Sequence, residues 1–182
     1  VIFYMASVSI FLVSKVDVED ISAEEYALQI KGDNNGDTQH FIFKKEAGDN
    51  MRLQVVYGGD PATSFMAFVG ETDWTTEDRL MSVVTAEGTN ESIVYKNSGD
   101  MTAGFPREFS YGTLSANEQL DMRTAAGRVA FLIGAGGNTY MNPNSNNFEG
   151  RIYEVLIYNR SVTDAERILI QNYINTKYDL WS

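Results

Sequence analysis

Cysteine is absent from this chain, histidine occurs once, and only three of the 182 residues are proline. Without cysteine there is neither a disulfide framework nor a thiol nucleophile. One imidazole cannot build a histidine-rich zinc site, and any Ser-His-Asp arrangement would have to run through His40 alone. That residue stands beside Phe41 and Phe43 in a strand-like run, the setting of a structural side chain. Basic residues are scarce as well: 14 Lys and Arg against 25 Asp and Glu leave a net charge of −11. Nucleic acid, which is held by clustered Lys and Arg, is therefore not an expected partner, and neither is an anionic membrane surface. No apolar run reaches the ~20 residues that a bilayer span takes. Val1 to Val13, polar only at Ser7 and Ser9, reads as a buried strand; without basic residues ahead of it, it does not read as a cleaved leader. A phosphate-cradling loop is missing too, because Gly134-Ala-Gly-Gly137 lacks the Lys and the helix that should follow and so reads as a turn.

What is present is an apolar fraction of 43%, with 12% aromatic residues, enough for a packed core. The expectation is one domain over 1–182. Strand-like runs recur at Val8–Val16, Tyr26–Lys31, His40–Lys45, Met51–Tyr57, Ser64–Val69, Arg79–Thr85, Ser92–Lys96, Arg107–Tyr111, Val129–Gly134 and Arg151–Tyr158. Turn residues separate them, as at Gly32-Asp-Asn-Asn-Gly36, Gly58-Gly-Asp-Pro61 and Gly136-Gly-Asn138. Short strands at such spacing predict an all-β, two-sheet antiparallel sandwich rather than alternating βα units. Gly112 to Gly127 stays open between a short helix capped by Ser115 and Glu118 and a polar loop.

The tail is the most structured stretch. Ile152, Glu154, Leu156 and Tyr158 alternate with Tyr153, Val155 and Ile157, the period of a strand. Thr163 then offers an N-cap oxygen and Glu166 a carboxylate three residues on, a capping box that predicts a helix over about 164–177. Asp164 and Lys177 stand at the ends that the helix dipole favours. Glu154, alone on its strand, is expected to be structural and to pair with an arginine such as Arg151.

The pattern Phe148-x-Gly150-x-Ile152-x-Glu154-x-Leu156-x-Tyr158-x-Arg160, then Thr163-Asp-Ala-Glu-Arg167, then Tyr173-Ile174-x-x-Lys177-Tyr178, resembles the closing signature of the concanavalin A-like lectin/glucanase superfamily. It is similar in particular to the laminin-G-like modules of bacterial surface and phage structural proteins. Ser9–Lys15 resembles that family's early strand, and Leu80–Thr85 with Ile93–Asn97 its central hairpin. Arg128–Gly134 matches its strand before last. The resemblance implies a jelly-roll sandwich, with the C-terminal helix against one edge.

Family glucanases carry Glu-x-Asp-x-x-Glu on one strand, and glycoside hydrolysis needs two carboxylates ~5–5.5 or ~6.5–9.5 Å apart. No such run occurs here; the nearest acidic cluster is Asp17, Glu19, Asp20, Glu24 and Glu25, where a strand gives way to a turn. The expectation is a non-enzyme, with glycoside hydrolase as the remote alternative. Sugars are held by aromatic faces and planar amides, which points to Trp74 in one loop and to Tyr140, Asn142 and Asn144 in the asparagine-rich segment 138–147. Asp33, Asn35 and Asp37 alternate as oxygen ligands do at the opening of a calcium loop, although a polar hairpin turn accounts for the same residues. The resemblance and the lack of a catalytic set imply a recognition or structural module on an exterior surface. The main reading is a virion decoration or fibre-associated subunit with protein partners that also touches glycans. The alternative is a secreted or cell-surface, lectin-like carbohydrate-binding module.

Overall fold

Strand β1 (Ser9–Val16) is apolar on both faces, and all but Lys15 of its side chains are buried. Such a strand has to be covered on two sides. It lies between β13 (Gly150–Tyr158) and β6 (Arg79–Thr85), antiparallel to both. β7 (Ser92–Lys96) and the two-residue β8 (Gly99–Asp100) complete a sheet in the order β13-β1-β6-β7-β8. β6 and β7 pair outward from Thr85↔Ser92, the central hairpin that the sequence implied. The computed structural model describes residues 9–17, 25–32, 39–45, 51–56, 65–70, 79–85, 92–96, 99–100, 107–109, 129–139 and 142–181; side chains are described in 9–17, 25–30, 43, 95, 131–136 and 147–181.

The second sheet runs β11-β12-β2-β3-β4-β5-β9. Its strands are β11 (Ala135–Thr139), β12 (Asn142–Asn147), β2 (Glu25–Gly32), β3 (Gln39–Lys45), β4 (Met51–Val56), β5 (Phe65–Gly70) and β9 (Arg107–Phe109). An eighth strand, β10 (Val129–Ile133), also pairs with β2. Two findings depart from the sequence reading. Ala135–Thr139 and Asn142–Asn147, read there as turn and loop, form two strands, so β10 is not the strand before last. The sheets are also not wholly antiparallel, because Asn147↔Tyr26 is a parallel pair between β12 and β2. Glycine and asparagine are poor strand formers, and here the pairing comes from the partner strand rather than from local propensity.

A single helix, α1 (Asp164–Tyr178), follows β13 with the expected capping box: the Glu166 N–H donates to Thr163 Oγ1, and the Glu166 carboxylate accepts the Thr163 N–H at 2.9 Å. The helix ends at Asp179, whose left-handed conformation (φ 52°) directs its N–H to the Asn175 carbonyl. Asn175 then folds the tail back: its Oδ1 accepts the N–H groups of Leu180 and Trp181. α1 lies on the face of the five-stranded sheet rather than along an edge. Phe11 and Val13 from β1, Leu156 and Tyr158 from β13, Ile170 and Ile174 from α1, and Trp181 form one cluster with Val162. Since Phe11 pairs with Leu156, both side chains emerge on the helix side. Ile10 and Leu12, also buried, take the opposite face.

Candidate functional site

The asparagine-rich hairpin β11–β12 is the described element that carries candidate ligand residues, and its base is held firmly. β10 runs along one edge of β2 as far as Gly134, whose positive φ of 73° turns the chain away. Glycine adopts that conformation without the Cβ penalty other residues meet. The Gly134 N–H donates to the Ala27 carbonyl at 2.9 Å, and its own carbonyl accepts the Phe148 N–H at 3.0 Å. Two residues on, Gly136 lies against the face of the Tyr26 ring; an added Cβ would stand 2.6 Å from Tyr26 Cγ. On the far side of the hairpin, the buried Glu25 carboxylate accepts the Glu149 N–H at 3.2 Å. β2 thus grips the hairpin on both sides of its base.

Of the candidate sugar ligands, Asn142 and Asn144 fall in β12, two residues apart on one strand of this hairpin. Trp74 and Tyr140 lie outside the described residues, as do Asp33, Asn35 and Asp37, the segment 112–127, and Glu19, Asp20 and Glu24 of the acidic cluster. Asp17 is exposed just after β1, with its N–H donated to the Glu149 carbonyl. Glu25 is the member whose carboxylate holds the base of the hairpin. His40 falls in β3. Among the described residues, no three His, Asp or Glu side chains gather as a metal site would require. The sequence reading missed Tyr26 and Glu25 as anchors. Its own signal for them was the Gly134-Ala-Gly-Gly137 cluster, since repeated glycine in a strand marks close approach by a neighbour.

The charged residues of the closing signature do structural work. Arg160 grips Glu166 with two bonds, 2.8 and 2.7 Å. That pair, followed by the Thr163 N–H, lowers the Glu166 carboxyl from its ordinary range to about 2. Arg167 places its guanidinium 4.1 Å from the centre of the Tyr95 ring in β7 and donates to Gln171 at 2.7 Å. Ser9 Oγ donates to the Arg160 carbonyl and accepts the Val162 N–H, pinning the β13–α1 turn to β1. Glu154 pairs with Lys177 at 3.2 Å, not with Arg151 as expected. Glu154 lies opposite Val13, on the side of the sheet that α1 covers, and the register shift beside it makes Tyr153 an extra residue in β13, a bulge that re-aims side chains. Tyr153 meets Tyr178 of the helix while its neighbour Glu154 reaches Lys177. The Tyr178 hydroxyl, then the Glu154 carboxylate, hold the Lys177 ammonium above its usual range.

The two-sheet sandwich aligns with solved structures of other proteins at low sequence identity. The CBM40 of Ruminococcus gnavus IT-sialidase, solved bound to alpha2,3-sialyllactose, aligns with a TM-score of 0.65 at 12% identity, over 92% of this chain and 83% of that one. The fold is the concanavalin A-like lectin/glucanase jelly roll. The heptameric SAP-like pentraxin from Limulus polyphemus shares this jelly roll with a TM-score of 0.56 at 11% identity, over 89% of this chain and 68% of that one. A sialidase of Trypanosoma rangeli, solved with sialic acid, aligns at 0.59 and 13% identity over 94% of this chain, which spans only 23% of the sialidase. No protein-family model matches the sequence, and a search of curated proteins finds no match.

Proposed function

We propose that this chain is a lectin-like, non-catalytic glycan-recognition module acting outside the cell. The observation that carries the reading is the jelly roll it shares, over 92% of its length, with a CBM40 solved bound to sialyllactose. That similarity favours the carbohydrate-binding alternative over the virion-subunit reading. The firmly anchored β11–β12 hairpin supports it further, because recognition sites work best when a rigid frame holds them. Asn142 and Asn144 in that hairpin, together with Tyr140 and Trp74, are the residues assigned to the sugar. Asp33, Asn35 and Asp37 are the residues assigned to a calcium ion, if binding requires one. Catalysis is left out because the likeness to the sialidase covers under a quarter of that enzyme.

The test is titration of the purified chain with 3′-sialyllactose, 6′-sialyllactose and lactose by saturation-transfer NMR, with and without EDTA, backed by a broad glycan array. Binding in the millimolar-to-micromolar range, weakened at least ten-fold by Tyr140→Ala or Trp74→Ala, is expected. Silence across the array would sink the reading. Release of a fluorescent aglycone from a sialoside would overturn its non-catalytic part.

A further inference from the structure

Register across β2, β3 and β4, the central strands of the second sheet, sorts their residues onto two faces. Leu28 and Ile30 stand opposite Phe43 and Phe41, which stand opposite Leu53 and Val55. That face is apolar throughout, and Leu28, Ile30 and Phe43 are buried, as the inner face of a sandwich has to be. Successive residues of a strand belong to opposite faces. Gln29, Ile42 and Gln54 therefore form a row on the other face, and Lys44 and Arg52 stand opposite each other in the next row.

Like charges directly opposite on neighbouring strands destabilise a sheet, and this chain has only 14 basic residues to place against 25 acidic ones. The described residues beside the pair on that face are Tyr26, Ile42, Gln54 and Val69, none of them acidic. Tyr26 links the pair to the asparagine-rich hairpin. It stands opposite Lys44, and Gly136 of β11 packs against its ring. The two cations thus adjoin the hairpin that carries Asn142 and Asn144. We propose that the ligand supplies the missing negative charge: the glycan bears an acidic group, carboxylate or sulfate, held at Lys44 and Arg52, while its neutral hydroxyls fall to the hairpin asparagines. Arginine meets an oxyanion with paired N–H donors and lysine meets it as a point charge. This rests on the glycan reading, which it narrows to acidic sugars.

Titration of the purified chain with 3′-sialyllactose, 3′-sulfolactose and lactose tests it and separates carboxylate from sulfate. One or both acidic sugars should bind roughly ten-fold or more tightly than lactose, the worth of a charge-assisted hydrogen bond. Lys44→Gln and Arg52→Gln should each abolish that preference. Either substitution also relieves a like-charge repulsion, so the melting temperature of the ligand-free chain should hold or rise. A fall in both variants would show that each cation is already paired within the fold, and would overturn the proposal. An acidic preference indifferent to both substitutions would overturn it too. Acidic and neutral sugars binding alike would remove it while leaving the glycan reading in place, whereas silence with every sugar removes both.

Discussion

Gly136 and Gly150 show how single residues decide this structure by having no side chain. A Cβ at Gly150 would collide with the Lys15 carbonyl oxygen and stand 2.8 Å from Phe148 Cε1. The oxygen is main chain, so β1 or β13 would have to shift. Gly150→Ala is therefore expected to cost about 1–3 kcal/mol, read as a lower urea midpoint at unchanged slope. Gly136→Ala meets only the Tyr26 ring, a side chain able to swing away, so it should cost less overall while loosening the hairpin base. In hydrogen exchange, the amides of β11 and β12 should lose protection ahead of β1, whereas equal loss in both regions would show that the ring contact does not anchor the hairpin. At the other end of the chain, the Glu166 carboxyl sits at about 2, held by Arg160 first and by the Thr163 N–H next. Its unfolded value is near the ordinary 4.5. A depressed carboxyl favours folding fully above the unfolded value and loses that contribution as pH falls from there through the folded one. Acid should accordingly weaken the α1 latch between about pH 4.5 and 2. Glu166→Gln, which leaves nothing to titrate, should flatten that part of the stability profile.

At the scale of elements, the strands with period-two alternation were legible, and so was the helix. β6 and β7 occupy the expected residues, and Thr163 and Glu166 cap α1 as their spacing required. Where local pattern and global pairing disagree, the reading failed. β11 and β12 contain Gly136, Gly137 and a run of asparagines, which on their own favour turns. They are strands because they pair with each other and because Asn147 bridges to Tyr26. For the same reason Asn142 and Asn144 were legible as candidate ligands by residue type but not as strand residues. Glu154 was assigned the wrong partner because its partner, Lys177, comes from the helix that docks over β13, which alternation does not show. How the helix docks was illegible too, since the face of β1 that meets it reads as apolar as the face that does not. Packing makes that docking the costly element to disturb. Ile174 is fully buried beneath the helix, and Phe11 lies under it with its ring edge-on to Tyr158. Ile174→Ala should cost about 2–5 kcal/mol and Phe11→Ala about 3–5. Thr163→Ala, which removes only the N-cap oxygen, should cost about 1. A thermal-shift series that ranked the cap above the core would contradict this order.

Charge acts at the scale of the whole molecule. Each copy carries a net −11, so two copies repel over a range set by the ionic strength, about 30 Å at 0.01 M and about 10 Å at 0.1 M. Lowering the pH toward the isoelectric point near 4.4 removes that net charge while Glu166, at about 2, still holds the helix in place. Non-specific association should thus rise as pH falls toward that point, with the circular dichroism of the folded chain intact. Added salt should promote the same association by screening the repulsion. Light scattering that stayed flat across the pH series would contradict this account of what keeps copies apart.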